Sequence, residues 1–585
     1  MKRIRDLNIR ATADERFWGT GCKDSVFVWE FSKHRLPLSA FAEQKTLGDP
    51  YQAGGAVKQA HDACRGYYYK YVKLLAKKLN EIHGVDYPDM FWRIAFGSWL
   101  YRHIAVAYDK YLTLQVLDVD RTSIILLSTS SFFIPNDHFE YMYCFGGDHG
   151  TMQLTSQYYS VFAREEFHCV ECAYHLEAER KKWTNHHNHV LIHGLNGTDG
   201  CATPGTPRGH GKYGVALCSA YYPEWIIAEL CRQSNNRIYN LSLPPVVVQA
   251  VEDHSESRLS LARGGAEDRF EEYLNVTLSC CMPKIFVEYF NGYRTEYERA
   301  LSVESDKAIV TECWDSFSPV TLYCALAKQM NGTRLILQEH GASLHMLDYN
   351  VQWIEEEVSD AFITTGYDTR SGNGVKGGFI TREQHEYTFA AEKTNVLHVA
   401  TTRFPYFMAW SSGMAGVGFL NYIRDVDDMI TMIPPRLKDC YVLRPRREGL
   451  LVDTERLWET RKRNVRVEVK DDFLQQLLQA KIVIIDHIST GFAEILVNKI
   501  PFLLLFTEGF FKLSEEYLPV FEGLAACGVM HTSPETLAGH LDKVYDDVEG
   551  WWSSPHVQKA VGRLIGASLG PATATMDYLI SLSRK

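Results

Sequence analysis

The sequence predicts an α/β protein of two domains built on doubly wound parallel sheets, with helical segments on the N-terminal side. Three observations predict it. Short, continuously apolar runs recur along the chain, as in strands buried on both faces of a parallel sheet. Helix-length segments separate the runs, which is the βαβ alternation of doubly wound sheets. Several runs end in polar residues, at the place where open α/β sheets hold ligands.

In chain order, residues 67–80 (YYYKYVKLLAKKLN) alternate apolar and basic residues at helical spacing. They predict an amphipathic helix with a lysine-rich outer face. Residues 91–111 are too apolar for a surface helix and predict a buried one. Strands are expected at 122–128, 189–193, 307–311, 334–338, 395–400, 440–444, 481–486 and 501–506. Residues 194–214 and 368–378 are glycine-rich and predict irregular loops. A hinge is expected between 381 and 393. It divides the chain into an α/β domain with the helical elaboration, 1–385, and a second Rossmann-like domain, 386–585, whose last helix crosses back.

A chain of 585 residues allows two to four domains at ~100–200 residues each. Net charge is -11, from 61 basic and 72 acidic residues. The densest basic stretches, 444–447 and 461–463, are short. That excludes a broad positive field for nucleic acid, while local clusters can still grip phosphate. The segment MKRIRDLNIRATADER lacks the apolar core of a secretory signal, and no window reaches ~18 apolar residues, so a cytoplasmic protein is expected. Fourteen irregularly spaced cysteines then read as reduced, mostly buried thiols. Cys169 and Cys172, with His168, His175, His186, His187, His189 and His193, offer either a structural zinc set or a His-rich surface loop. Neither a Walker A loop nor a GxGxxG fingerprint is present, which lowers kinase and dehydrogenase readings. No catalytic metal is expected. Asp427–Asp428 and Asp471–Asp472 read as solvated helix charges.

Four stretches can carry chemistry. In KIVIIDHISTGFAEILVNKIPFLLLF a buried strand ends at Asp486, and a helix starts near Ser489. Ser489 and Thr490 would offer hydroxyls and helix N–H groups to an anion. Glu494, one turn in, could accept from sugar hydroxyls. The same pattern also suits an ordinary capped core helix. In RLILQEHG a strand runs into His340 and Gly341. The glycine permits close backbone approach, and the histidine can donate to a phosphate oxygen or a leaving group. In YVLRPRREG, Arg444 ends a strand and is the residue type suited to bidentate anion binding. After FIPN come Asp137 and His138, then Asp148 and His149; either aspartate could act as the general base for an acceptor hydroxyl.

Together these segments resemble transferases of about this length from bacterial O-antigen and surface-carbohydrate gene clusters. The resemblance covers most of the chain. It rests on YYYKYVKLLAKKLNEIH, FWRIAFGSWL and IPNDHFEY, then QEHG, Glu357–Asp360 and ITTGY, then VLRP, Arg456–Leu457–Trp458 and the DHISTGFAEILVNKIPFLLLF block. The arrangement is also similar to bacterial transferases that use CMP-activated 3-deoxy-octulosonic acid (Kdo). The family usually has Gln directly before His–Gly and a tryptophan-rich stretch further on. Here Glu339 precedes His340, Ala342 follows Gly341, and Thr365–Gly366–Tyr367 replaces the tryptophans.

The resemblance implies a GT-B-like fold with the acceptor on the 1–385 side and the nucleotide sugar on the 386–585 side. It implies donor binding by Gly341, Arg444, Asp486, Ser489, Thr490 and Glu494. Catalysis would fall to His340 with Asp137 or Asp148. It further implies a glycosyltransferase without cofactor, acting on a glycan or lipid-linked glycan in the cytoplasm, with the inner face of the cytoplasmic membrane as the alternative location. A CMP-linked ulosonic acid such as Kdo is the expected donor in lipopolysaccharide or O-antigen assembly. A polyol-phosphate transferase using a CDP-linked donor and a non-catalytic carbohydrate- or nucleotide-binding protein are the competing readings.

Overall fold

The structure is a computed structural model. It describes residues 7–18, 25–29, 45–51, 55–164, 166–175, 214–244, 246, 256–262, 264–303, 306–312, 314, 317–341, 343–380, 385–410, 417–446, 458, 465–468, 472–507, 509 and 512–584. The predicted strand 189–193, the histidines 186–193 and nearly all of the loop 194–214 lie outside these residues. So do Arg447, Arg456, Leu457, 461–463 and Asp471.

Helix Ala56–His83 buries Tyr68, Tyr71, Val72, Leu75, Ala76 and Leu79 along one stripe and exposes Lys73 and Lys77. Gly84, at φ 62°, closes it with a left-handed cap. Helix Asp89–Leu114 buries Trp92, Phe96, Trp99 and Leu100, because it lies between that first helix and helix Ser318–Asn331. The expected amphipathic and buried helices are therefore both present, each longer than its most patterned part.

Beside these helices stands a small parallel sheet of β1 (Leu7–Arg10), β2 (Ser25–Phe27), β3 (Lys45–Thr46) and β4 (Thr122–Ser123), in the order β3-β2-β1-β4. The expected strand 122–128 is a correction. It splits into β4, which pairs with Leu7 and Asn8, and β5 (Leu126–Leu127), which pairs with β6 (Cys169–Val170). An apolar run reports burial, not a single set of pairing partners.

The two main sheets are entirely parallel and have six strands each. The first holds β7 (Val215–Leu217), β8 (Ile238–Asn240), β9 (Ala308–Thr311), β10 (Arg334–Gln338), β11 (Ala361–Thr364) and β12 (Gly374–Lys376). Its order is β12-β11-β10-β9-β7-β8. The second holds β13 (Val396–Val399), β14 (Tyr441–Arg444), β15 (Arg466–Val467), β16 (Ile482–Ile485), β17 (Phe502–Leu505) and β18 (Met530–His531), in the order β15-β14-β13-β16-β17-β18. Counted along the chain, the second sheet runs 3-2-1-4-5-6 and the first 2-1-3-4-5-6, the two common doubly wound orders.

Alternation of side chains explains why these strands read as unbroken apolar runs. In the second sheet Val483, Ile485, Phe502 and Leu504 pack into one core, and Ile482, Ile484, Leu503 and Leu505 into another on the opposite face. In the first sheet Ile309, Leu335, Leu337 and Phe362 face the N-terminal helices. Val310, Ile336 and Ile363 face a layer that includes Leu579 and Ile580 of the last helix, Ala572–Arg584. The chain thus returns from the second sheet to cover the first. The fold is α/β with two Rossmann-like sheets and an N-terminal helical elaboration, the GT-B-like architecture the sequence predicts. One further correction concerns 368–378: this glycine-rich stretch contains the edge strand β12, paired in parallel with β11.

Candidate functional site

A doubly wound sheet opens a crevice where its strand order reverses, outside the carboxyl ends of the two strands concerned. In the second sheet this point lies between β13 and β16. Ser489 follows β16 and is the N-cap of helix Thr490–Val497, and its hydroxyl makes no capping hydrogen bond. The first N–H groups of a helix have no acceptor within the helix, so this terminus is a place for an anion. Arg444 ends β14, in register with Val399 of β13, which is in register with Ile485 of β16. Two strand spacings put its backbone about 10 Å from Ile485. Its guanidinium, 5.2 Å from the centre of the Phe473 ring, also donates to Gln476. A Cβ on Gly491 would meet that same Phe473 ring at 3.2 Å. Arg444 and the helix start therefore share one aromatic support.

Asp486 lies beneath this edge, fully buried. One carboxylate oxygen accepts from His398 Nε2 and the Tyr422 hydroxyl, each at 3.0 Å, and the other contacts His487 Nδ1 at 2.8 Å. Burial pushes its carboxyl up, but His398 and His487 outweigh burial and hold it below the ordinary value. His398 sits on β13, and Tyr422 also accepts from the Thr401 N–H at 2.8 Å. Asp486 thus ties β16 to β13 under the crevice. Glu494 is likewise buried, at 1 % exposure, and its backbone oxygen receives the Asn498 side chain at 2.7 Å.

In the first sheet the order reverses between β7 and β9. The residue after β9 is Glu312, whose N–H donates to the Ser219 carbonyl just beyond β7 at 3.3 Å. Glu312 is 2 % exposed. Its Oε1 is 3.4 Å from Nδ1 of His340, and its Oε2 has no hydrogen-bond partner among the described residues. Burial pushes its carboxyl up, with His340 pulling it partly back and Glu339 adding to the rise. His340 follows β10 and is largely exposed, with the Tyr221 ring 5.6 Å away. Ser219 and Tyr221 hold φ of 54° and 51°, left-handed conformations that bulky residues adopt only when their surroundings impose them. Glu339, next in the chain, differs from Glu312. It is engaged by His345 at 2.9 Å and Thr365 at 3.1 Å, and these outweigh burial and hold it below the ordinary value.

The two edges meet. A Cβ on Gly341 would lie 2.8 Å from Thr490 Oγ1, and the backbone there has φ +85°. Only glycine meets both demands without strain. The Ser343 hydroxyl donates to the Ser489 carbonyl at 3.0 Å. Leu347 bridges to Leu513, and Thr365 Oγ1 donates to the Ser568 carbonyl at 2.9 Å. The structure therefore brings together His340, Gly341, Ser489 and Thr490, with Arg444 along the same edge and Asp486 and Glu494 beneath it.

Asp137 and Asp148 lie in the N-terminal side. Asp137 is the N-cap of helix His138–Phe145 and accepts from the Glu140 N–H at 2.8 Å. The next N–H, of His138, donates to Ser318 at 3.0 Å, close to the chain leaving β9. Asp148 accepts from the Tyr406 hydroxyl at 2.6 Å and the Ala13 N–H at 3.3 Å. Cys169 is exposed and Cys172 buried. Among the described residues no three His, Cys, Asp or Glu side chains gather as a metal set. No helix of the described residues is long and apolar enough to cross a membrane.

Sequence reasoning missed Glu312, Tyr221 and the support from Phe473. For Glu312 the signal was present. It follows the run 307–311, and the strand-end argument that selects His340 and Arg444 selects it equally. Tyr221 follows β7, a strand of three residues with too little pattern to find.

Comparison with known proteins finds distant structural likenesses and one family. Solved structures similar to this chain include Anabaena Alr3699/HepE in complex with UDP and glucose, at 10% identity and TM-score 0.36, covering 64% of this chain and 100% of that one. The spinosyn rhamnosyltransferase SpnG with spinosyn aglycone is similar at 12% identity and TM-score 0.33, covering 62% and 99%. An α,α-trehalose-phosphate synthase (UDP-forming) from Burkholderia vietnamiensis is similar at 9% identity and TM-score 0.33, covering 63% and 99%. Such distant likeness assigns neither donor nor acceptor. No curated protein matches the sequence. The model of the LIC12162 family transferase matches residues 7–566, nearly the whole chain, and the protein belongs to that family of transferases.

Proposed function

We propose that this transferase is a GT-B-type glycosyltransferase that moves a sugar from a nucleotide donor to a bacterial surface glycan. Residues 386–585 hold the nucleotide and 1–385 present the acceptor. The observation that carries this reading is the meeting of two switch points, one built for an anion and one for a proton, where Gly341 touches Thr490. Ser489 and Thr490 take the donor phosphate with hydroxyls and helix N–H groups, and Arg444 offsets the charge that grows on it as the bond breaks. Asp486 and Glu494 support that site from below. Asp137 and Asp148 stand on the acceptor side, each engaged by an N–H or O–H donor.

The resemblance to Kdo transferases favours a CMP-activated ulosonic acid, and a single helix terminus with two hydroxyls fits one phosphate. The acceptor is a glycan or lipid-linked glycan of lipopolysaccharide or O-antigen assembly, met in the cytoplasm or at the inner membrane face. A thermal-shift panel of CMP, CDP, UDP, GDP and their sugars tests the donor class, since a bound ligand stabilises by RT ln(1 + [L]/Kd). A shift with CMP and CMP-sugar, followed by a new glycosidic bond in the product, supports the reading. A new phosphodiester in the product would instead identify a polyol-phosphate transferase. Binding without donor turnover would identify a non-catalytic binder.

A further inference from the structure

We propose that Glu312 and His340 form a proton-transfer pair. Glu312 holds the Nδ1–H of His340, and His340 Nε2 takes the proton of the acceptor hydroxyl in a single displacement that inverts the transferred centre. The inference rests on the glycosyltransferase reading and deepens it.

Four observations lead to the pair. Glu312 stands at the switch point of the first sheet, between β7 and β9, where an open α/β sheet places its ligand. Its side chain is buried, yet Oε2 finds no hydrogen-bond partner among the described residues. A buried carboxylate left half-satisfied costs stability, so such a group points to a function that needs it. Its other oxygen lies 3.4 Å from Nδ1 of His340, whose side chain is 49% exposed, so the ring links the buried acid to the crevice. Finally, the adjacent Gly341 touches Thr490, so a base at His340 lies beside the proposed phosphate site.

The roles follow from reach. Glu312 is buried, at 2 % exposure, and is therefore assigned to hold the ring rather than to attack an anomeric carbon. When the 3.4 Å contact closes to a hydrogen bond, Nδ1–H is held by the carboxylate and the neutral ring offers Nε2 to the acceptor hydroxyl. The acceptor O–H proton passes to Nε2, and the oxygen forms its bond to the anomeric carbon. The bond from that carbon to the phosphate oxygen breaks, and its electron pair leaves with the nucleotide. Glu312 then faces an imidazolium and stabilises it. Glu339 and His345 form a similar buried pair, but both of its members are buried and it is closed by Thr365, so it positions the loop and reaches no substrate.

The test uses the full chain, Glu312→Gln, His340→Gln and the double variant. Transfer from the donor found in the nucleotide panel should fall about 100- to 10,000-fold in kcat in each single variant, the range of general acid–base catalysis. Donor affinity should stay within threefold. The double variant should be no slower than the slower single one, because members of one relay are not additive. The product should carry the inverted configuration. Retained configuration, or Glu312→Gln keeping kcat within threefold, overturns the proposal. Nitrogen-15 NMR of the His340 ring reads the pair without any activity. The Nδ1–H tautomer should be present in the wild type and lost in Glu312→Gln, and an unchanged tautomer overturns the pairing. Wild-type protein that transfers no sugar but shows the tautomer change would defeat the glycosyltransferase reading and leave the pair standing. His340→Gln alters an exposed side chain, so it serves should Glu312→Gln fail to fold.

Discussion

At the switch point of the second sheet stand Ser489, Thr490 and Arg444, partly accessible hydroxyls and a guanidinium around a helix start. At that of the first stand Glu312, His340 and Tyr221, a buried acid behind an exposed ring. Each sheet also keeps a buried acid at its switch point, Asp486 in the second and Glu312 in the first, and the two are treated differently. Asp486 has three partners, and its carboxyl is held low by His398 and His487 despite burial. Among the described residues the Glu312 carboxylate meets one partner, His340, and burial raises its carboxyl. Pairs of acids whose surroundings push them apart mark a division of labour. On the proposed reading, the satisfied acid supports the phosphate site and the unsatisfied one is left for chemistry.

The comparison can be broken most forcefully at Asp486. Asp486→Asn removes the charge that two buried or half-buried histidines share and should destabilise the fold by about 3–5 kcal/mol, as when one partner of a buried pair is lost. Denaturant unfolding measures it, and a loss below about 1 kcal/mol would show that the tie is not structural. The sign with pH follows from the direction of the shift. The folded value is depressed, so the stabilisation is present above the unfolded carboxylate value of about 4 and is lost as pH falls through the folded one.

Gly341→Ala comes next. A left-handed φ of +85° and a Cβ 2.8 Å from Thr490 Oγ1 should together cost about 1–3 kcal/mol and push the two edges apart. Melting and turnover should therefore fall together, and an unchanged turnover would mean that the edges need not meet there.

Arg444→Ala should lower turnover by about one to two decades, the worth of a charge-assisted contact of ~1.5–3 kcal/mol, with a much smaller effect on melting. Steady-state kinetics beside a melting curve decide it. Loss of stability without loss of turnover would reduce Arg444 to a support for Gln476 and Phe473.

The smallest effect is the most diagnostic of the contrast. Burial raises the folded value of Glu312, so its contribution to stability is full below about 4.3 and is lost as pH rises through the folded value. Glu312→Gln should then gain melting temperature over the wild type as pH rises above about 4.3, on the alkaline side of the unfolded value, whereas the effect at Asp486 lies on the acid side. A constant difference across that range would contradict the account.

Much of this was legible in the sequence, and the reasons are local. Strands β9, β10, β13, β14, β16 and β17 are buried on both faces, so their apolar runs stand out; their ends locate His340, Arg444 and Asp486 within a residue or two, and Ser489 follows one turn later. The short strands β8, β12, β15 and β18 have two or three residues each, too few for a pattern, and their pairing comes from the neighbouring strand. Pairing is also why 122–128 divides between two sheets. Glu312 also stands at a strand end, but between a buried strand and Cys313 and Trp314 it looks like a satisfied core residue, and the contact with His340, 28 positions away, singles it out. The contact of Gly341 with Thr490 spans 149 positions and has no local signature.

The central claim is that one crevice edge grips the donor and the other moves the proton, and calorimetric titration of the nucleotide selected by the melting panel tests it most directly. The account predicts that Arg444→Ala and the Ser489→Ala, Thr490→Ala double variant weaken nucleotide binding by tenfold or more, while Glu312→Gln and His340→Gln bind like the wild type and fail only in transfer. Equal loss of binding in both sets, or in neither, would contradict it.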